Sequence, residues 1–501
     1  MNLIKGLRGM AWRFLRGGPR VQARGFDAAK VSRLTQDWLV TDQSADEVLR
    51  RDLRSLISRS RQLEENNEYA GGFLHQVERN VLRDRGVLLQ MKVMDRKPRK
   101  KPVSDVAANN VIEAGWARWG QASSCCLTKD LTWRETQRLL LRAAARDGAP
   151  LIRLIRGAAA ENEFNFALQL LEVDHLDPLL NRTLNDGSQV RMGVEQNKFR
   201  QVTAYHLLAN HPGDSAGFYR VGGQRYERVP AEEILHPFMK SRIGQSRGYP
   251  WLACSMLGLK ILSGYKEAEL VAARTSAAKM GWFEEKDGSG QPTYTGEKVE
   301  GKDGGGKYMD AEPGSMEFAP TGHTFKSWDP QHPVQAFGDF VRECLRGVAQ
   351  GAGVSYTSFA NDLSSTSYSS GRIGLLNERD GWKVIQQWFV DQVCQPVFEA
   401  WLEMALLSGA VELPAAKFGK FNAASWAPPR WQWVDPLKEV KGWNEAIANG
   451  LTSRKRVLAE QGLDEEEVYR EIAEGDALAQ SLGLQFANPA EKDGGSVTFG
   501  G

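Results

Sequence analysis

The sequence is short of the features that mark secreted, membrane-spanning and zinc-binding chains. Its 501 residues hold five cysteines, Cys125, Cys126, Cys254, Cys344 and Cys394. Their odd number and lack of CxxC spacing argue for free thiols rather than a disulfide framework or a structural zinc site. No apolar run reaches the roughly 18 residues that a membrane helix needs. The N-terminal stretch MNLIKGLRGMAWRFLRGGPR is interrupted by Lys or Arg every few residues, so the continuous apolar centre of a secretion signal is missing. The chain is therefore expected to stay in the compartment where it is made. Charge of one sign is lacking too. With 64 Lys and Arg against 62 Asp and Glu, the net charge of +2 neither demands nor excludes nucleic acid.

Local charge is less even. Seven basic residues face one acid between Met1 and Lys30, which reads as a basic arm that is either solvated or touches an acidic partner or nucleic acid. RKPRKKP at 96–102 is a second basic cluster, expected as a solvated loop. A chain of this length can bury a large core in two to four packed units.

Periodicity predicts helices over 44–80, 131–146, 250–280, 333–350 and 370–408, the last with a kink at Pro396, and further helix after WVDP to about 480. VLLQMKV (87–93), LIRLI and FALQLLEV read as strands, and PAAKFGKFNAASWAPP as a loop. The N-terminal half is thus expected as an α+β unit. Residues 283–315 are rich in Gly and polar side chains and cannot hold much core.

Three short patterns invite a catalytic reading. Gly213, Ser215 and Gly217 match GxSxG, but no apolar strand enters and no helix leaves, so a turn accounts for them. Gly301, Gly306 and Lys307 match GxxxxGK, yet Tyr308 stands where Ser or Thr should hold magnesium. Glu172, Asp174, His175 and Asp177 in EVDHLDP could ligate a metal, with strand alternation placing Glu172 and Asp174 on one face. These residue types alone identify no enzyme, and no cofactor is expected.

Longer segments are more specific. His236, Arg242, Gly244, Gln245, Arg247 and Gly248 follow the order of a motif in which a His and an Arg-x-Gly-Gln-x-Arg-Gly run precede a helix rich in small residues. With it stand WRETQRLLLRAAARDGAPLIRLI, LQLLEVDHLDP, GVSYTSFANDLSSTSYSSGRIGLLNERDGW and WVDPLKEVKGWNEAIANGLTSRKRVLAEQGLDEEEVYREIAEGDA. Together, over roughly 45–480, these segments resemble the lambda-type portal proteins of tailed bacteriophages.

The resemblance implies an α+β portal fold: arm 1–30, wing 31–249, first stem helix 250–281, clip 282–331, second stem helix 332–352, channel loop 353–370, long helix and wing return 371–434, crown 435–485 and disordered tail 486–501. It also implies a ring of about twelve subunits at a capsid vertex, assembled in the host cytoplasm. Double-stranded DNA would pass through the ring without sequence readout. The terminase large subunit, a head-tail connector and the major capsid and scaffold proteins would be partners, with no membrane and no catalysis.

On that reading Ser364, Ser365, Thr366, Ser367, Tyr368, Ser369, Ser370 and Arg372 form the channel loop, with Ser369 or Ser370 capping the helix that follows. Duplex DNA carries one charge per about 1.7 Å of axis, so uncharged hydroxyls at a constriction avoid the grip of repeated lysines. Arg242 and Arg247 are expected in subunit or domain ion pairs rather than on DNA. Lys260, Lys266 and Lys279 on the first stem helix would face the channel or solvent, and Tyr356 and Tyr368 would pack. Two alternatives remain open at this point, a metal-dependent nuclease using Glu172, Asp174 and Asp177, and a monomeric nucleic-acid-binding protein using the basic segments.

Overall fold

The computed structural model describes residues 29, 33, 35–95, 103–214, 226–277, 281–285, 323–327, 337–364, 366–431, 436–460, 463 and 465–484. Most of the basic arm, the 96–102 cluster, Ser215, the 301–307 pattern, Lys279, Ser365 and the C-terminal tail lie outside them.

The chain opens on two helices where periodicity predicts one. Ser44 accepts a hydrogen bond from Glu47 N at 3.3 Å and starts α1 (Ala45–Asn66). Asn67 then leaves the helical region and its side chain accepts from Tyr69 N and Ala70 N, capping α2 (Glu68–Val81). A side chain suited to both turn and cap breaks a run that apolar spacing alone would carry through. Strands β1 (Leu88–Met91), β2 (Met94–Asp95) and β3 (Val103–Ser104) lead to α3 (Val106–Trp119), α4 (Ala122–Cys125) and α5 (Trp133–Asp147). Thr132 and Glu135 form a reciprocal capping box at the start of α5.

Next come β4 (Leu151–Arg156), β5 (Phe166–Leu171), β6 (Arg182–Thr183), β7 (Gln189–Arg191), β8 (Val194–Gln196), β9 (Val202–Leu208), β10 (Tyr226–Pro230) and β11 (Ile234–Leu235). They make a three-stranded sheet, β11-β4-β5, and a five-stranded sheet, β10-β9-β8-β7-β6, with antiparallel pairing throughout. The five-stranded sheet has no counterpart among the predicted strands, because β6, β7 and β8 are two or three residues long and carry little apolar alternation.

Helix α6 (Met256–Ala277) and α7 (Phe337–Ala352) flank β12 (Gly281–Glu285) and β13 (His323–Ser327), which pair antiparallel. Short α8 (Tyr356–Ala360) precedes α9 (Tyr368–Phe389), a π-helical turn at Val390–Cys394 and α10 (Gln395–Ser408). Just before Pro396, where a kink is expected, stands that π-turn, in which Gln395 N bonds to Val390 O. The register shift comes before the proline, which then occupies the start of α10, where its missing N–H costs least.

The stretch expected as a loop contains α11 (Phe418–Phe421) and β14 (Ala424–Ala427), and β14 pairs with β1 more than 300 residues away in sequence. Helices α12 (Pro436–Ala448), α13 (Arg454–Glu460) and α14 (Glu465–Ser481) close the chain. The main core joins α2, α3, α5, α6, α7, α9 and α10. Its aromatic centre sets Trp116 4.7 Å from Trp119 and 5.1 Å from Trp401 between ring centroids.

Candidate functional site

The His236–Gly248 segment is a keystone inside the chain. Arg247 is 1 % exposed and donates to three carbonyls, Met192 O at 2.8 Å, Leu176 O at 3.1 Å and Val173 O at 3.2 Å. Burial pulls its pKa down to about 10, against the favourable charges of Asp174 and Asp177, which lie near without forming a contact pair. The expectation of an ion pair is therefore corrected: the guanidinium fork holds backbone, stitching the 173–176 turn to the β7–β8 hairpin.

Gln245 donates to Arg247 O at 2.7 Å and accepts from Ser241 N and Arg242 N. The adjacent Ser246 ties the loop to α1, giving its backbone N–H and hydroxyl to the buried Asp46 carboxylate at 2.8 and 2.7 Å. Gly248 is required by space, since a Cβ there would sit 2.1 Å from Gly148 O. Gly244 is required by its φ of +81°. His236 packs edge-on to Tyr205, and burial followed by the nearby Arg247 charge keeps its pKa well below the usual histidine value. Of the six motif residues Arg242 alone is exposed, donating to Gln43 O at 3.1 Å.

EVDHLDP does not form the four-residue cluster that its spacing suggests. Asp174 and His175 lie in a 3-10 turn beyond β5, His175 Nδ1 contacts Leu208 O, and Asp177 accepts from Tyr226. Glu172 and Asp174 instead meet His211, with ligand atoms within 4.8 Å of one another. Arg61 already occupies this group, 2.6 Å from Asp174 and 3.4 Å from Glu172. A guanidinium there matches the negative charge that a divalent cation would require.

Lys266 is engaged within the chain, pairing with Glu68 and lying 4.8 Å from the Tyr69 ring centroid. It thus braces α6 against α2. Lys260 is exposed.

The hydroxyl-rich segment is built differently. Gly353, at φ +72°, ends α7, and Ser355 caps α8 by accepting from Ser358 N. After Asn361, at φ +51°, Asp362 accepts from Ser364 N and Oγ at 3.0 and 2.6 Å and from Tyr356 Oη at 2.7 Å. Those donors, the Ser364 hydroxyl foremost, hold the Asp362 pKa down to about 2. Ser364, Ser367, Ser369 and Ser370 are exposed and Thr366 is half-buried.

Ser367, two or three residues earlier than expected, caps α9 through Ser370 N at 3.2 Å. Tyr368 begins that helix. Arg372 lies 3.6 Å from Glu439 of α12. Three carboxylates that organise these regions, Asp46, Asp362 and Glu378, were not singled out by sequence. Only Asp362 carried a local signal, an Asx-type turn in Asp-x-Ser.

Residues 31–386 match the family described as phage portal protein, lambda family. The protein named "Probable portal protein" of Halomonas phage phiHAP-1 is 32% identical over 463 residues, covering 92% of this chain and 88% of its own. Portal protein B of Escherichia phage lambda is 22% identical over 413 residues, covering 76% of this chain and 75% of its own. A solved neck of an empty GTA particle covers 82% of this chain and 94% of its own, at 12% identity and a TM-score of 0.43, too distant to carry an argument. The chain therefore belongs to the lambda family of phage portal proteins, structural components of the phage particle rather than enzymes.

Proposed function

We propose that the chain assembles as a closed ring of about twelve copies at one capsid vertex, with duplex DNA passing through the channel during packaging and ejection. Beyond family membership, one observation carries this reading. Leu257, Ile261, Gly264, Ala268 and Val271 are all exposed on α6, at spacings of 4, 3, 4 and 3. Leu257 is 71% and Ile261 63% exposed. That is a heptad seam with small residues at its centre, opposite the face that Leu259 and Leu262 bury. A lone chain leaves it in water, whereas identical copies related by rotation would cover it.

In this reading α6 and α7 are the stem, residues 282–331 the clip and 435–485 the crown. The 353–370 loop meets DNA through its hydroxyls. The terminase large subunit, a head-tail connector and the capsid and scaffold proteins are the partners, and assembly takes place in the host cytoplasm. Negative-stain microscopy of the purified chain tests it. Annular particles about twelvefold heavier than the 55.8 kDa chain are expected, and Ile261→Lys should disperse them. Particles that stay at the mass of one chain at every concentration would overturn the ring in favour of a monomeric nucleic-acid-binding protein.

A further inference from the structure

The hydroxyl-rich loop is held unequally at its two ends. On its exit side the contacts are mainly local. Thr366 N bonds to Leu363 O at 3.1 Å, Ser367 caps its own helix, and the Arg372–Glu439 pair at 3.6 Å comes only after the helix has begun. The entry side is anchored into the core. Phe359, 5 % exposed, stacks on Tyr69 with ring centroids 6.1 Å apart, and Gln76 of α2 donates to Ser358 O.

The carboxylate of Glu378, on the third turn of α9, completes that anchor. Its Oε2 accepts from Ser355 Oγ at 2.5 Å, Ser358 Oγ at 2.8 Å and Ser355 N at 3.3 Å. Its Oε1 accepts from Trp382 Nε1 at 3.1 Å, and Trp382 is itself 3 % exposed. One oxygen therefore gathers the cap of α8, while the other is fixed by a core indole.

We infer that Glu378 is a positioning residue for the loop, a latch that makes the entry helix α8 move with α9 and so sets how far residues 361–367 project. The chain leaves α8, turns through the loop and returns as α9, and Glu378 closes that excursion by binding its start to its return. Hydrogen bonds to an ionised acceptor are the stronger kind, and the Ser355 and Ser358 hydroxyls, 2.9 Å from each other, both reach this one oxygen. Asp362 adds a smaller buckle nearer the tip, taking Tyr356 Oη from α8 with Arg342 of α7 at 4.0 Å. The link to DNA movement rests on the channel reading above, whereas the latch itself does not.

Hydrogen exchange of the full-length protein tests the latch. In Glu378→Ala, amides of 356–366 should exchange roughly tenfold faster or more, as for loss of one hydrogen bond to a charged acceptor, with 395–408 unchanged. Unchanged exchange across 356–366 in that variant would overturn the latch. If Glu378→Ala does not fold, Ser358→Ala gives the same two outcomes, because it removes a hydroxyl donor to Glu378 but keeps the Ser355 cap of α8 and the Trp382 bond. Glu378→Gln, which retains an acceptor oxygen, should recover part of the protection. Faster exchange together with normal DNA retention in assembled particles would uphold the latch and remove the loop from the channel.

Discussion

Two segments stand out in the sequence, the Arg-x-Gly-Gln-x-Arg-Gly run and the NDLSSTSYSSGR run, and the fold uses them in opposite ways. The first turns one of its two charges, Arg247, inward and leaves Arg242 exposed. Arg247 meets three carbonyls, Ser246 meets Asp46, and Gly248 lies against Gly148. The second pairs the hydroxyls of Ser364, Ser367 and Ser370 with near neighbours and leaves all three residues at the surface. A distinctive run of residues is thus no guide to whether it faces a partner. Burial separates the residue that builds the chain from the residue free to meet something else.

The contrast is sharpest for substitutions that should wreck one segment and spare the other. Arg247→Met strands three buried carbonyls, so a loss of about 3 kcal/mol or more is expected, read as a large drop in thermal midpoint and in soluble yield. Gly248→Ala should follow at roughly 2–3 kcal/mol, because the added Cβ meets backbone rather than a movable side chain. By contrast, replacing Ser364, Ser365 and Thr366 together with Lys should leave the thermal midpoint within the range of ordinary surface changes, about 0.5 kcal/mol, while DNA packaging or retention in assembled particles falls. Normal packaging by that variant would dissolve the functional half of the contrast.

Acid separates the segments more gently. His236 has a folded pKa well below its ordinary 6.5, so the unfolded chain binds the proton first, and stability declines as pH drops below about 6.5. Glu195, held at about 2 chiefly by Arg228, contributes fully above its ordinary 4.5 and loses that contribution as pH falls toward 2. Thermal midpoints measured from pH 7 to 5 should therefore fall less steeply in His236→Gln than in the parent. An identical slope would show that this buried imidazole is not responsible.

Much of the helical framework was legible because apolar spacing survives in long elements. Val48, Leu49, Leu53, Leu56 and Ile57 announced α1. The short strands were not legible. β14 exists because β1 pairs with it, and nothing within four residues of chain encodes a partner more than 300 positions away. Within the site, the excess of hydroxyls was visible but their division of labour was not. Ser367 rather than Ser369 or Ser370 became the cap because the helix begins where Ser370 N can reach a hydroxyl. Glu378 gave no signal at all, since an acid on a helix reads as solvated until Ser355, Ser358 and Trp382 close around it.

By itself the sequence determined the class of the chain: the alternation of helix, polar insert and helix, the family motif, and a loop rich in hydroxyls and free of lysine. Those properties are local or ordered along the chain, and the chemistry of single residues suffices to express them. Tertiary structure decided which charges are exposed. Arg247, Arg372 and Lys266 look alike as cations in the sequence, yet one grips buried carbonyls, one reaches α12 and one braces α2. Desolvating a charge is affordable only where partners from distant segments converge, and that convergence belongs to the packed chain rather than to any stretch of it.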